Sequence, residues 1–147
     1  MNMPPTERPV LTEYLFHSPL TTRWSDNDLY GHINNVAYYS YFDSVINLYL
    51  IEVGGLDIVN GAVIGLVVES HCQFQAPLAY PTPLVAGLRV DRLGNRAVTY
   101  GLGIFAEGDD NAAAHGHVVH VFVDRASRKP VPIPPPLRDA LARLVAS

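Results

Sequence analysis

Residues 36–53 read Val-Ala-Tyr-Tyr-Ser-Tyr-Phe-Asp-Ser-Val-Ile-Asn-Leu-Tyr-Leu-Ile-Glu-Val, an almost unbroken apolar and aromatic run. Four of its exceptions, Ser40, Asp43, Ser44 and Asn47, recur at i, i+3, i+4 and i+7, which is one stripe of an α-helix. Gly54 and Gly55 follow as a stop signal. A helix apolar over most of its circumference must be covered on most sides, so the spacing predicts a long central helix wrapped by something else. A membrane is not that cover. Asp43 and Asn47 interrupt the run, and it falls short of the ~20 apolar residues that a span requires.

The covering element reads as a sheet. Residues 14–24 form a first candidate strand, and residues 62–74, 84–93, 97–106 and 113–123 form four more. In residues 62–74 the even positions run Ala62, Ile64, Leu66, Val68, Ser70, Cys72, Phe74, while Glu69, His71 and Gln73 occupy odd ones. One face is therefore read as apolar, and the other as turning polar partway along. Gly94-Asn95 is a two-residue hairpin signal between the third and fourth strands. Residues 130–136 are Pro-rich and lead into a short last helix over residues 136–145. Strand, long helix, then consecutive strands define an α+β architecture, with one helix against an antiparallel sheet of about five strands.

The chain has 147 residues, 48% of them hydrophobic, which fits a single domain over residues 1–147. A domain of this size buries roughly 68–70% of the surface its unfolded chain exposes, so no disulfide or metal staple is needed. Cys72 is the only cysteine, which excludes an internal disulfide and a cysteine-rich zinc site. It points to a reducing compartment and a cytoplasmic setting. Residues 1–14 combine Pro4, Pro5, Pro9, Glu7 and Glu13 with a single arginine, Arg8, unlike a signal peptide. The formal net charge is -4, and no basic cluster exceeds Arg125, Arg128 and Lys129. That argues against nucleic acid as a partner.

The densest chemistry stands directly before the long helix. Residues 23–35 read Arg-Trp-Ser-Asp-Asn-Asp-Leu-Tyr-Gly-His-Ile-Asn-Asn. Asp26, Asp28, His32, Asn34 and Asn35 lie within ten residues of one another. The start of a helix offers unpaired N–H groups and the positive end of a dipole, both suited to an oxyanion developing on a carbonyl. One such donor is worth roughly 2.7–4 kcal/mol of barrier. A neighbouring carboxylate can deprotonate water or attack directly. Taken singly, Asn34 or Asn35 reads as a plain N-cap and Asp26 as a partner for loop amides.

The spacing Asp26-x-Asp28-x-x-Gly31-His32-Ile33-Asn34-Asn35-x-x-Tyr38 resembles the hydroxybenzoyl-CoA thioesterase family of hotdog-fold enzymes. A similar His-Val-Asn-Asn stretch occurs in plant acyl-ACP thioesterases. The long helix, residues 69–77 and residues 119–125 fit as well, so the likeness covers most of the chain. The resemblance implies a hotdog fold, hydrolysis of an acyl-CoA thioester to acid and CoA, and no metal or redox cofactor beyond the CoA of the substrate. It assigns Asp28, three residues before Gly31, as base or nucleophile, and the backbone N–H of Asn35 as the group polarising the carbonyl. His32 matches the histidine of the plant-type enzymes, and Glu69 is the nearest match to their further acidic residue. Their asparagine two residues after the aspartate is replaced here by Tyr30. The likeness also implies a homodimer, or a tetramer of dimers, with the site at the subunit interface.

Other residues carry weaker expectations. Tyr38 and Phe42 are candidates for an acyl pocket, and Arg96, Arg125, Arg128 and Lys129 for CoA phosphates, with Arg96 and Arg128 preferred. His115 and His117 share a strand face and His120 takes the opposite one, so with His71 they form no metal-ligand spacing. Asp26, Asp28 and His32 as a cation site rank below catalysis. Two rival functions remain on the same scaffold: an enoyl-CoA hydratase or dehydratase, and an acyl-CoA-binding protein without turnover.

Overall fold

The computed structural model describes residues 8–146. It contains β1 (Phe16–Leu20), α1 (Asn35–Glu52), β2 (Val63–Phe74), β3 (Leu84–Leu93), β4 (Ala97–Ala106), β5 (Ala114–Asp124) and α2 (Pro135–Ala142). The strands form one antiparallel sheet in the order β1-β3-β4-β5-β2. The architecture is α+β, with α1 laid across one face of the sheet as in a hotdog fold. Residues 1–7, half of the segment read above against a leader peptide, fall outside the described part.

Period decides which face meets the helix. Leu84, Ala86, Leu88 and Val90 of β3, and Val98, Tyr100, Leu102 and Ile104 of β4, alternate onto α1 and are almost fully buried. From α1 they receive Tyr38, Tyr41, Phe42, Val45, Ile46, Tyr49 and Leu50. The helix is covered on fewer sides than its composition predicts. Its polar stripe stays open, and Val36 and Tyr39 beside it are 75% and 39% exposed. A five-stranded sheet covers one side of a helix, and the remaining apolar side chains wait for another surface.

Strand β2 departs from the alternation read in the sequence. Its register against β5 shifts between Val67 and Glu69, so Val68 is a bulge. Before it, Val63, Gly65 and Val67 pair with Asp124, Phe122 and His120 and share the helix-side face. After it, Ser70, Cys72 and Phe74 take that face, and Glu69, His71 and Gln73 turn outward. Val63 and Val67 therefore belong to the helix-side face and not the outer one, contrary to the simple odd-even reading. The β3–β4 connection is also longer than its Gly-Asn signal suggests. Gly94, Asn95 and Arg96 intervene, and neither Gly94 nor Asn95 has a positive φ as a primed two-residue turn demands.

Strand β1 is shorter than residues 14–24 because both ends have other work. Tyr14 folds over the outer face, 3% exposed, with its ring on Gly87 and Gly103, where an added Cβ would lie 2.7 and 2.9 Å from it. Its hydroxyl donates to Leu102 O (3.2 Å) and the Arg89 guanidinium covers its ring at 4.8 Å. At the other end the chain turns at Arg23. Helix α2 stops at Ala142 and not at residue 145, because Val90 N–H captures Leu144 O (2.9 Å) and Val145 bridges Val90. Leu137, Ala140 and Leu141 of α2 close the core, and Tyr49 Oη donates to Ala140 O (2.5 Å).

The helix-side face of β5 carries a buried histidine. His120 is 2% exposed, and its Nδ1 lies 3.1 Å from Tyr100 Oη. Burial lowers its pKa from 6.5 to about 4. Unfolded chains bind this proton below about 6.5 and the folded chain only near 4, so stability is complete above the first value and falls with pH between them. The loss approaches about 3 kcal/mol at the acid end of that window. Urea unfolding at pH 7 and at pH 4.5 should show this difference, and His120→Gln should flatten it.

Candidate active site

The segment from Thr22 to Asn34 is irregular, yet it is tied at nearly every turn. A 3-10 turn over Trp24–Asp26 places the Asp26 carboxylate inside, 4% exposed. Its Oδ2 accepts from Arg23 N–H (2.9 Å) and from Tyr41 Oη of α1 (2.7 Å), while Oδ1 accepts from the Arg23 guanidinium (3.0 and 3.2 Å). Burial alone would raise the pKa of this group, but the hydrogen bonds from Tyr41 and Arg23 outweigh it and hold Asp26 below its ordinary value. Burial, then the bond to Asp26, push the Tyr41 phenol far up. Asp26 is the anchor of the loop, in keeping with its reading as a partner for loop amides.

The rest of the loop is a chain of backbone pairings. Asn34 N–H donates to Asp26 O, Ile33 N–H to Leu78 O, and Tyr80 N–H to Asn27 Oδ1, at 2.8, 2.8 and 3.0 Å. Asp28 opens a tight turn: its N–H donates to His32 O (2.9 Å), and its carbonyl accepts from Gly31 N–H (3.1 Å). Gly31 has φ 81°, where a side chain would be strained. Asp28 Oδ1 accepts from Tyr30 N–H (2.8 Å), and Oδ2 has no partner among the described residues. The carboxylate is thus held at one oxygen and free at the other.

Helix α1 begins where this turn ends. Asn34 is the N-cap, its Oδ1 accepting from Val36 N–H (2.9 Å), and its carbonyl accepts from Ala37 N–H (2.9 Å). Flanked by the satisfied N–H groups of Asn34 and Val36, Asn35 N–H has no acceptor among the described residues. A cleft of about 330 Å³ opens there, walled by His32, Asn35, Tyr38, Phe74 and Gln75. Tyr38 forms an aromatic wall, edge-on to Phe74 at 5.1 Å, its phenol pushed up to about 12 by burial.

The structure therefore brings His32, Asn35 and Tyr38 together at one cleft, with Asp28 in the turn bonded to His32 but not lining it. It does not bring Glu69 there. The bulge at Val68 turns Glu69 to the outer face, where Oε2 lies 2.5 Å from His117 Nε2 and His71 stacks on His117. Spacing along the chain cannot reveal a face reversed by one inserted residue. Arg96 and Arg128 lie at the opposite end of the sheet, in the β3–β4 connection and in the turn after β5. Arg96 shares a notch of about 390 Å³ with Arg92, Asn95 and Thr99.

Gln75 was not foreseen. It is 1% exposed, its Nε2 lies 3.4 Å from His115 Nε2, and Oε1 has no partner among the described residues. A glutamine at a strand end carries no sequence signal for burial. Cys72 is half-buried on the helix side, and burial pushes its thiol up to about 12, far from a thiolate at neutral pH. No three His, Cys, Asp or Glu side chains among the described residues are grouped to hold a metal ion, and no described helix is long and apolar enough to cross a membrane.

The anchor can be tested directly. Tyr41→Phe removes one donor to a buried carboxylate, and should cost roughly 1.5–3 kcal/mol in urea unfolding at pH 7. A loss under about 0.5 kcal/mol, the range of a neutral surface change, would show that Arg23 alone holds Asp26.

The chain is similar to the PA5185 protein from Pseudomonas aeruginosa strain PAO1, at 57% identity over 95% of this chain and 98% of that one, with a TM-score of 0.94. It is also similar to the PA2801 protein, a candidate thioesterase from Pseudomonas aeruginosa (26% identity, 86% and 98% covered, TM-score 0.81). A 1,4-dihydroxy-2-naphthoyl-CoA thioesterase from Synechocystis shares the fold (18% identity, 86% and 95% covered, TM-score 0.78). No curated protein matches the chain. The thioesterase-like superfamily matches residues 22–141, which span the anchored loop, α1 and the whole of β2 to β5. The chain belongs to the thioesterase-like superfamily and is a thioester hydrolase.

Proposed function

We propose that this protein hydrolyses acyl-CoA thioesters in the cleft at the start of α1. The observation that carries the reading is the unpaired N–H of Asn35, a residue of that cleft's wall, flanked by the satisfied N–H groups of Asn34 and Val36. A thioester carbonyl seated there gains a hydrogen bond and the helix dipole as its oxygen becomes an oxyanion. Asp28 supplies the carboxylate, as nucleophile or as base to a water, through its unpaired Oδ2. His32, exposed on the cleft wall, orients the substrate or gives a proton to the departing thiolate. Tyr38 and Phe74 offer the acyl group an apolar wall. No metal or redox cofactor enters these steps, and the half-buried lone thiol suits a reducing, cytoplasmic setting.

Assembly follows from the edge. Strand β2 lies at the border of the sheet, with Val67 and Val68 51% and 60% exposed. An unpaired apolar edge seeks another strand, and a two-fold antiparallel pairing of β2 with a second copy supplies one. That pairing sets the Val63 end of one copy beside the Phe74 end of the other. The end carrying Arg96, Arg92 and Arg128 in one copy then approaches the cleft of the other, where CoA phosphates need cations. A homodimer, or a pair of dimers, is the expected form.

Two substitutions test the chemistry. Asp28→Asn should lower kcat/KM for the best substrate in a panel of short, long and aryl acyl-CoAs by at least ~100-fold. Retention of the rate would remove Asp28 from catalysis. Release of no thiol by the parent enzyme, with CoA esters still bound, would favour a hydratase or a sensor. Asn35→Pro deletes the N–H without breaking the helix. Position N1 tolerates proline, and Asn34, at φ -63° and ψ 143°, already has the extended geometry that precedes one. The kcat should fall by roughly 10²–10³ with the unfolding midpoint nearly unchanged.

A further inference from the structure

We propose that the groove between α1 and β2 holds the acyl group, and that Asp43 selects acyl chains carrying a hydroxyl or an amine near their far end. The inference rests on the acyl-CoA reading above. The groove, about 510 Å³, lies within the size range of small-molecule sites. It starts at Val36, the residue after Asn35, and follows one side of α1 through Tyr39, Ser40 and Asp43. Val67 and Ser70 of β2 form the facing wall, and Val118 the floor. Cleft and groove share no lining residue but lie on adjacent sides of the first turn of α1, where Asn35 and Tyr38 line one and Val36 and Tyr39 the other.

Asp43 is the single charged residue lining this groove. It makes no ion pair among the described residues. Its Oδ1 accepts from Asn47 Nδ2 (3.2 Å), and Oδ2 accepts from none of the described residues. From Asn35 to Asp43 the helix rises ~12 Å, the reach of an extended chain of about eight to ten carbons. Along most of that path the walls are apolar and favour an alkyl chain. At Asp43 a plain methyl end would strip water from a carboxylate and return nothing, whereas a hydroxyl or ammonium replaces the lost hydrogen bond.

The test uses CoA thioethers, which bind but have no carbonyl to hydrolyse: S-octyl-CoA, its ω-hydroxyoctyl analogue and its ω-aminooctyl analogue. Their dissociation constants are measured by calorimetry on the full-length protein, on Asp43→Asn and on Asp43→Leu. Asp43 is exposed on the helix surface, so both variants should fold. The parent protein should bind the two donor-bearing probes roughly tenfold or more tighter than S-octyl-CoA. Asp43→Leu should abolish or reverse that preference, and Asp43→Asn should keep a preference for the hydroxyl while losing that for the amine. Equal binding of all three probes to the parent, or the same preference in Asp43→Leu, would overturn the proposal. So would a changed oligomer size in Asp43→Leu with unchanged probe ratios, which assigns the groove to contact between copies. Failure of thiol release with true thioesters bears on the catalytic reading alone, since these probes are not turned over.

Discussion

The structure depends on one buried carboxylate. Asp26 sits in the angle between the incoming loop and α1, and takes hydrogen bonds from both: Arg23 on the loop side, Tyr41 on the helix side. Without a rigid tie there, the turn from Asp28 to His32 would have no fixed relation to the first N–H groups of α1. Burying a charge is costly unless every lone pair is engaged, and here four donor contacts from two residues meet that demand. The carboxylate that holds the site together is therefore distinct from the one left free to react. Two aspartates separated by a single residue take opposite roles because one faces the core and the other a tight turn.

The sheet divides its work between two faces. The helix side is a largely apolar layer that also admits Ser18, Ser70 and His120 with its Tyr100 partner, and it aligns α1 so that the start of the helix meets the end of β2 at Phe74 and Gln75. The outer side is closed where Tyr14 lies on Gly87 and Gly103, and elsewhere carries Glu69, His71 and His117. Glycines on β3 and β4 serve this arrangement by allowing an aromatic ring to lie directly on the backbone of the sheet.

Much of the architecture was legible because the strongest signals are periodic and local. The apolar run and the Gly54-Gly55 stop place α1 within a residue of its observed ends, and the candidate strands match β3 and β4 at both ends and β5 within a residue. The loop motif pointed to His32, Asn35 and Tyr38, which do share a cleft. What the sequence does not display is long-range geometry. Glu69 was matched by distance along the chain, and its side is set by a bulge that alternation does not register. Arg96 and Arg128 were chosen for charge alone, and within one chain they lie at the end of the sheet away from the cleft. The first strand was read too long because Tyr14 looks like a strand residue and is instead a cover. Gln75 and the groove at Asp43 belong to three-dimensional neighbourhoods with no linear pattern.

The bulge at Val68 also gives β2 two reading frames. Upstream of it the odd-numbered residues face the helix, and downstream the even-numbered ones do, so the strand behaves as two short strands joined out of phase. Sensitivity to substitution along β2 should therefore alternate, miss a beat at Val68, and resume inverted. Any relative with one residue more or fewer at this point would exchange Glu69 and Ser70 between the two sides of the sheet. A single insertion there is a route by which such a fold could carry a carboxylate from its outer surface into the groove beside α1, without altering any other strand.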